Sequence, residues 1–121
     1  MKILIIDDEQ SILKMYTAPF EAKGDEVMTA LEGETGLKFA RDQHPDVILL
    51  DIIMPRVNGL DILKTLKEDP ATKEIPVVLL TNLPEESSIE KTKSLGAAGY
   101  LVKAQNEPSI VVEKVKKIVK T

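Results

Sequence analysis

Four carboxylates, one hydroxyl and one ammonium follow directly on short aliphatic segments. Asp7, Asp8 and Glu9 come after residues 2–6, Asp51 after 47–50, Thr81 after 77–80 and Lys103 after 99–102. Acids gathered along one sheet edge at roughly 5 Å would repel by about 3 kcal/mol per pair at an effective dielectric near 20. A hard divalent cation with oxygen ligands offsets that cost. Mg²⁺ suits the site, because it binds through one or two carboxylates, keeps waters and accepts phosphate oxygens. Lys103 supplies further positive charge. Each residue alone has a plainer explanation: acids begin helices, Asp51 precedes a Met54-Pro55 turn, Thr81 caps a turn before Pro84, and Lys103 is a surface lysine. Their alignment on successive strand ends is what argues for shared chemistry.

The elements that must position them can be read from the apolar pattern. Residues 2–6, 47–50 and 77–80 are aliphatic without alternation, as strands buried on both faces are. Weaker strands fit 26–30 and 99–102, the latter after a turn marked by Gly96 and Gly99. Between strands run helical patterns. Ile12, Met15, Tyr16 and Phe20 form one stripe, and Val111, Val112, Val115, Ile118 and Val119 another. Gly24 closes the first helix, Pro19 is expected to kink or fray its last turn, and Pro108 suits the start of the last helix. Five strands alternating with helices imply an α/β fold, an open parallel sheet covered on both faces by right-handed crossovers. In such sheets the functional site lies beyond the carboxyl ends of the strands, at the switch point beside the first strand.

Composition narrows the function. A length of 121 residues without an internal linker fits one domain, residues 1–121. With 43% apolar and 30% charged residues the chain can build one core. No apolar run is long enough to span a bilayer, and residues 1–6 do not read as a signal peptide, so a cytoplasmic location is expected. The absence of cysteine excludes thiolate chemistry and disulfides. A net charge of −4 argues against nucleic acid as a direct partner.

The segment Asp51-Ile52-Ile53-Met54-Pro55-Arg56-Val57-Asn58-Gly59 is similar to the D-x-x-M-P-x-x-x-G pattern of receiver domains of two-component response regulators. The Asp7-Asp8 pair, Thr81, Tyr100 and Lys103 follow in matching order, and the resemblance covers essentially the whole chain. It implies a flavodoxin-like sheet of order 2-1-3-4-5, the order also found in the chemotaxis response regulator. It further implies that Asp51 is the phosphoacceptor. Asp8 would ligate Mg²⁺ directly, Asp7 through water, and the Ile53 backbone carbonyl would complete the protein's share together with Asp51. Lys103 would pair with Asp51 and then with the phosphoryl group, to which the Thr81 hydroxyl would hydrogen-bond. Tyr100 would turn inward as Thr81 moves. The resemblance names a phosphohistidine on a partner histidine kinase or phosphotransfer protein as donor, and a downstream protein met through helix 4, strand 5 and helix 5. His44 is not that histidine and reads as a solvated loop residue.

Several positions depart from the family pattern. Lys103 is followed by Ala104 where the family has proline, so either a trans bond with a rearranged loop or a strained cis bond is expected. Asn82 stands where a small residue is usual. Ile53 and Leu83 occupy the positions that tune dephosphorylation and cannot orient water, so slow self-dephosphorylation is expected. Residues 84–95 offer only Ile89 and Leu95 as large apolar anchors, which makes helix 4 the element least firmly held. Lys114, Lys116, Lys117 and Lys120 on helix 5 could meet an acidic partner but read most simply as a solvated face. Rival readings fit less well. An aspartyl-nucleophile phosphatase or phosphotransferase would need an acid two residues after Asp51, a flavin protein would need a phosphate-cradling loop, and a phosphorylation-independent interaction module would not need the acids, Thr81 and Lys103 together.

Overall fold

An aliphatic run becomes a parallel strand when helices cover both of its faces, because no side then has to be polar. The computed structural model describes residues 1–52, 54, 58–81, 86–103 and 107–120, excluding the side chains of 81, 86–89 and 120. In chain order its elements are β1 (Lys2–Ile6), α1 (Gln10–Ala22), β2 (Glu26–Ala30), α2 (Gly33–Gln43), β3 (Val47–Leu50), α3 (Gly59–Glu68), β4 (Val77–Thr81), α4 (Glu86–Ser94), β5 (Gly99–Val102) and α5 (Pro108–Lys120). The sheet has the order β2-β1-β3-β4-β5 and every pairing is parallel. This is the expected flavodoxin-like α/β architecture. One boundary differs: β4 includes Thr81, which pairs with Val102 and so extends the ladder by a residue.

Alternation hidden inside the apolar runs sorts the core into two layers. Ile3, Ile5, Val47, Leu49, Val78 and Leu80 join Leu13, Tyr16 and Phe20 of α1 and Val111, Val112 and Val115 of α5. Leu4, Ile6, Ile48, Leu50, Val77 and Leu79 join Ala40 of α2 and Ile62, Leu63 and Leu66 of α3. Each fully buried Leu or Ile contributes roughly 1.5–3 kcal/mol of transfer free energy, which holds the strand ends in register.

The first helical stripe needs correction. Leu13, Tyr16 and Phe20 face the core, whereas Met15 is 43% exposed. Leu13 to Tyr16 to Phe20 follows the i, i+3, i+7 spacing of one face, and Met15 points a quarter-turn away from Tyr16. Pro19 does not end α1, which continues to Ala22. Beyond it Gly24 takes φ +86°, a conformation that favours glycine, and its N–H donates to the Glu21 carbonyl. His44 is exposed, as expected, and closes α2 in the left-handed region at φ 46°.

At the end of the sheet where β2 begins, half-buried Asp25 lies between two cations. The Met1 ammonium lies 3.0 Å from one of its carboxylate oxygens and Lys116 Nζ 2.8 Å from the other. Lys116 therefore ties α5 to the α1–β2 turn and does not belong to a purely solvated lysine face. Burial alone would raise the Asp25 carboxyl, but the hydrogen bonds and charges of Lys116 and the N-terminus outweigh it and hold it below its ordinary value.

Candidate functional site

β1 pairs with β2 on one side and β3 on the other, so the chain leaves its carboxyl end at the switch point of the sheet. The ladder continues one residue past each strand there. The Asp7 N–H donates to the Ala30 carbonyl at 3.1 Å, and the Asp51 N–H to the Ile6 carbonyl at 3.0 Å. Both aspartates are thus fixed by sheet geometry rather than by a loose loop.

Asp51 is also clamped from the other side. The Gly59 N–H donates to the Ile52 carbonyl at 2.8 Å, and Asn58 caps α3 by accepting from the Leu60 N–H at 2.9 Å. A Cβ at Gly59 would overlap the Asp51 carbonyl oxygen and come within 2.8 Å of that of Ile52. Glycine is needed there so that the start of α3 can lie directly against the backbone carrying Asp51.

Lys103 reaches into this corner from the turn after β5. Its Nζ lies 2.6 Å from Asp7 Oδ2 and 3.4 Å from Asp51 Oδ2, with all three side chains at least nine-tenths buried. The expected partner was Asp51, yet Asp7 is the nearer one. Asp7 is doubly engaged, since its Oδ1 accepts the Glu9 N–H at 3.0 Å at the start of α1. Burial alone would depress the Lys103 ammonium. The hydrogen bond to Asp7 and the charges of Asp51 and Asp7 together hold it above its ordinary value.

Asp7, Asp8 and Asp51 each offer a carboxylate oxygen, and these oxygens lie within 4.8 Å of one another. Three carboxylates facing one ammonium leave the corner with net negative charge. That donor set fits a hard divalent cation with oxygen ligands. One Asp7 oxygen is committed to Lys103, and Asp8 is half-buried. Glu9 does not join the group. It is exposed, and its backbone serves as the N-cap of α1.

Thr81 ends β4 beside Val102, which puts its backbone at the same edge, though its side chain is outside the description. Tyr100 is half-buried on β5, pairs with Leu79 and packs against the layer containing Leu66 and Ile75. The expectations for Ile53, Asn82, Leu83 and Ala104, including the Lys103-Ala104 bond, lie outside the described residues; among those described there is no cis peptide bond. In α4, buried Thr92 is an anchor that apolar patterning alone did not identify. Tyr16 was read only as part of an apolar stripe. Burial holds its phenol above its ordinary value, with smaller opposing influences from Lys103 and Asp7.

Comparison with known proteins agrees with this arrangement. The family model described as "Response regulator receiver domain" matches residues 3–115. Protein PilH of Pseudomonas aeruginosa is 36% identical over 110 residues, which cover 91% of this chain and 91% of PilH. Response regulator PleD of Caulobacter vibrioides is 38% identical over 102 residues, covering 84% of this chain but 22% of PleD. Among solved structures, the chemotaxis protein CheY4 of Vibrio cholerae superposes with a TM-score of 0.89 at 31% identity, over 97% of each chain.

Proposed function

Because this chain belongs to the response regulator receiver domain family, we propose that it is a phosphorylation-dependent switch whose Asp51 accepts a phosphoryl group. The observation that carries this reading is the buried corner in which Asp51 lies 3.4 Å from Lys103 and shares a 4.8 Å oxygen cluster with Asp7 and Asp8. We read residues 1–121 as one receiver domain acting in the cytoplasm. It is not a turnover enzyme, since its own carboxylate is the acceptor.

An Asp51 oxygen attacks the phosphorus of a phosphohistidine on a partner histidine kinase or phosphotransfer protein. The O–P bond forms as the P–N bond breaks, and the imidazole leaves with the electron pair. Phosphoryl transfer asks little covalent chemistry of the protein beyond position and charge. Buried on the β3 end and clamped by α3, Asp51 loses little freedom on reaching the reactive geometry. Lys103 moves its ammonium from Asp7 toward the transferring oxygens, where it neutralises developing charge. Mg²⁺, held by Asp8, Asp51 and the Ile53 carbonyl and through water by Asp7, would supply the remaining charge neutralisation.

The acyl phosphate adds roughly two negative charges and three acceptor oxygens at the strand ends. Thr81 ends the neighbouring strand β4, and we assign the response to its hydroxyl and the turn that follows to the aromatic Tyr100 on β5. We assign the output to α4, β5 and α5, with a downstream protein as partner. Incubation with acetyl phosphate and Mg²⁺ tests the reading by intact mass. Wild type should gain one phosphoryl group and Asp51→Ala none. Equal labelling of both, or of neither, contradicts it.

A further inference from the structure

The start of α3 sets a chemically fragile pair, Asn58-Gly59, against the backbone that carries Asp51. Of the three asparagines in the chain, Asn58 alone precedes glycine; Asn82 and Asn106 precede Leu83 and Glu107, whose side chains crowd the nitrogen that follows. In an unstructured chain an asparaginyl-glycine bond loses its side-chain ammonia, because glycine leaves its own nitrogen unhindered and its backbone free to turn. Asn58 is exposed, so water reaches it, whereas Gly59 is buried.

Each member of the pair is there for a structural reason. Asn58 caps α3 by accepting the Leu60 N–H at 2.9 Å, and Gly59 is glycine because a Cβ would overlap the Asp51 carbonyl oxygen. The same contacts restrain the chemistry. The Gly59 N–H donates to the Ile52 carbonyl at 2.8 Å, so the nitrogen that would attack is tied to the end of β3. Asn58 is extended, with ψ 121°, which turns that nitrogen away from its side-chain carbon. Ring closure therefore needs the first turn of α3 to lift off Ile52, a local opening.

We propose that Asn58-Gly59 is a modification site, a deamidation held off by the docking of the α3 start against Asp51 and Ile52, whose isoaspartyl product breaks that docking. The Gly59 nitrogen forms a bond to Asn58 Cγ as the bond from Cγ to Nδ2 breaks, and ammonia leaves with the electron pair and the Gly59 proton. Water then opens the succinimide. Attack at Cγ gives aspartate, which keeps an oxygen at the cap. Attack at the main-chain carbonyl carbon gives isoaspartate, which adds a methylene to the main chain between residues 58 and 59 and so displaces Gly59 from Ile52.

The test follows residue 58 by peptide mass spectrometry in the full chain, incubated in mildly alkaline buffer either folded or in guanidinium chloride. The unfolded chain should convert Asn58 to aspartate and isoaspartate, and the folded chain should do so about tenfold or more slowly, because only its opened fraction reacts. Equal rates overturn the restraint, and an unconverted Asn58 in the unfolded chain overturns the site. The isoaspartyl form, recovered by chromatography and refolded, should melt below wild type, whereas Asn58→Asp carried through the same unfolding and refolding should melt close to it. An isoaspartyl form that melts with wild type overturns the claim that the product breaks the docking. None of these readouts involves phosphorylation, so a failure here and a failure of Asp51 to accept phosphate are told apart.

Discussion

Lys103 holds its ammonium 2.6 Å from Asp7, closer than to Asp51, the residue it is expected to serve. A cation bound at this corner would therefore draw on the same carboxylate as Lys103. Millimolar Mg²⁺ should raise the melting temperature of wild type, and Asp8→Ala should abolish the rise. Lys103→Met should tighten Mg²⁺ binding by on the order of tenfold, because a nearby positive charge is removed and Asp7 is released. Calorimetric titration checks this; weaker binding in Lys103→Met would contradict it.

The same pair predicts an alkaline signature. With the folded ammonium held above its ordinary value, the pair's stabilisation is fully present below the unfolded lysine value, near 10.4, and is lost as pH rises through the folded value. Without Mg²⁺, Lys103→Met should cost on the order of 3 kcal/mol at neutral pH, because it leaves Asp7 buried and unpaired. The gap to wild type should close in alkali. Denaturant melts across that range would show it, and a pH-independent gap would count against the pair.

Gly59→Ala should destabilise the fold by about 1–3 kcal/mol, since the added methyl meets backbone oxygen rather than a flexible side chain. It should also slow phosphorylation of Asp51, whose backbone must shift. A variant that melts with wild type and accepts phosphate at the wild-type rate would refute the close approach of α3.

Asp25 predicts the opposite pH dependence. Its carboxyl is held below its ordinary value, so its stabilisation is present above the unfolded value, near 3.9, and is lost as pH falls through the folded one. Asp25→Asn should cost on the order of 1–3 kcal/mol at neutral pH, and the difference should vanish in acid. Urea melts at both pH values decide it.

Ile53 and Leu83 bear on the lifetime of the phosphorylated form. Neither side chain can hydrogen-bond an attacking water, so we propose slow self-dephosphorylation. The double change Ile53→Asn with Leu83→Glu should shorten the half-life of the aspartyl phosphate. An unchanged half-life would remove these two residues from the account.

The strands and the site edge were legible in the sequence because both follow from local pattern. Aliphatic runs at 2–6, 47–50 and 77–80 can be little else than central strands, and the residues after them must share an edge. Longer-range relationships left weaker marks. The choice of Asp7 over Asp51 by Lys103 depends on how far β5 carries its turn across the sheet, which no spacing encodes. Leu13 rather than Met15 faces the core because helix phase is set by tertiary packing, and either residue satisfies an apolar pattern. The link from Lys116 to Asp25 joins residues 91 positions apart, so a lysine-rich helix face hid an ion pair.

The account stands most directly on where a phosphoryl group goes. After treatment with acetyl phosphate and Mg²⁺, borohydride reduction converts an aspartyl phosphate to homoserine, and peptide mass spectrometry locates it. Homoserine at position 51 alone is the predicted result. Homoserine at Asp7 or Asp8, or none at any aspartate, would contradict the claim that Asp51 is the phosphoacceptor.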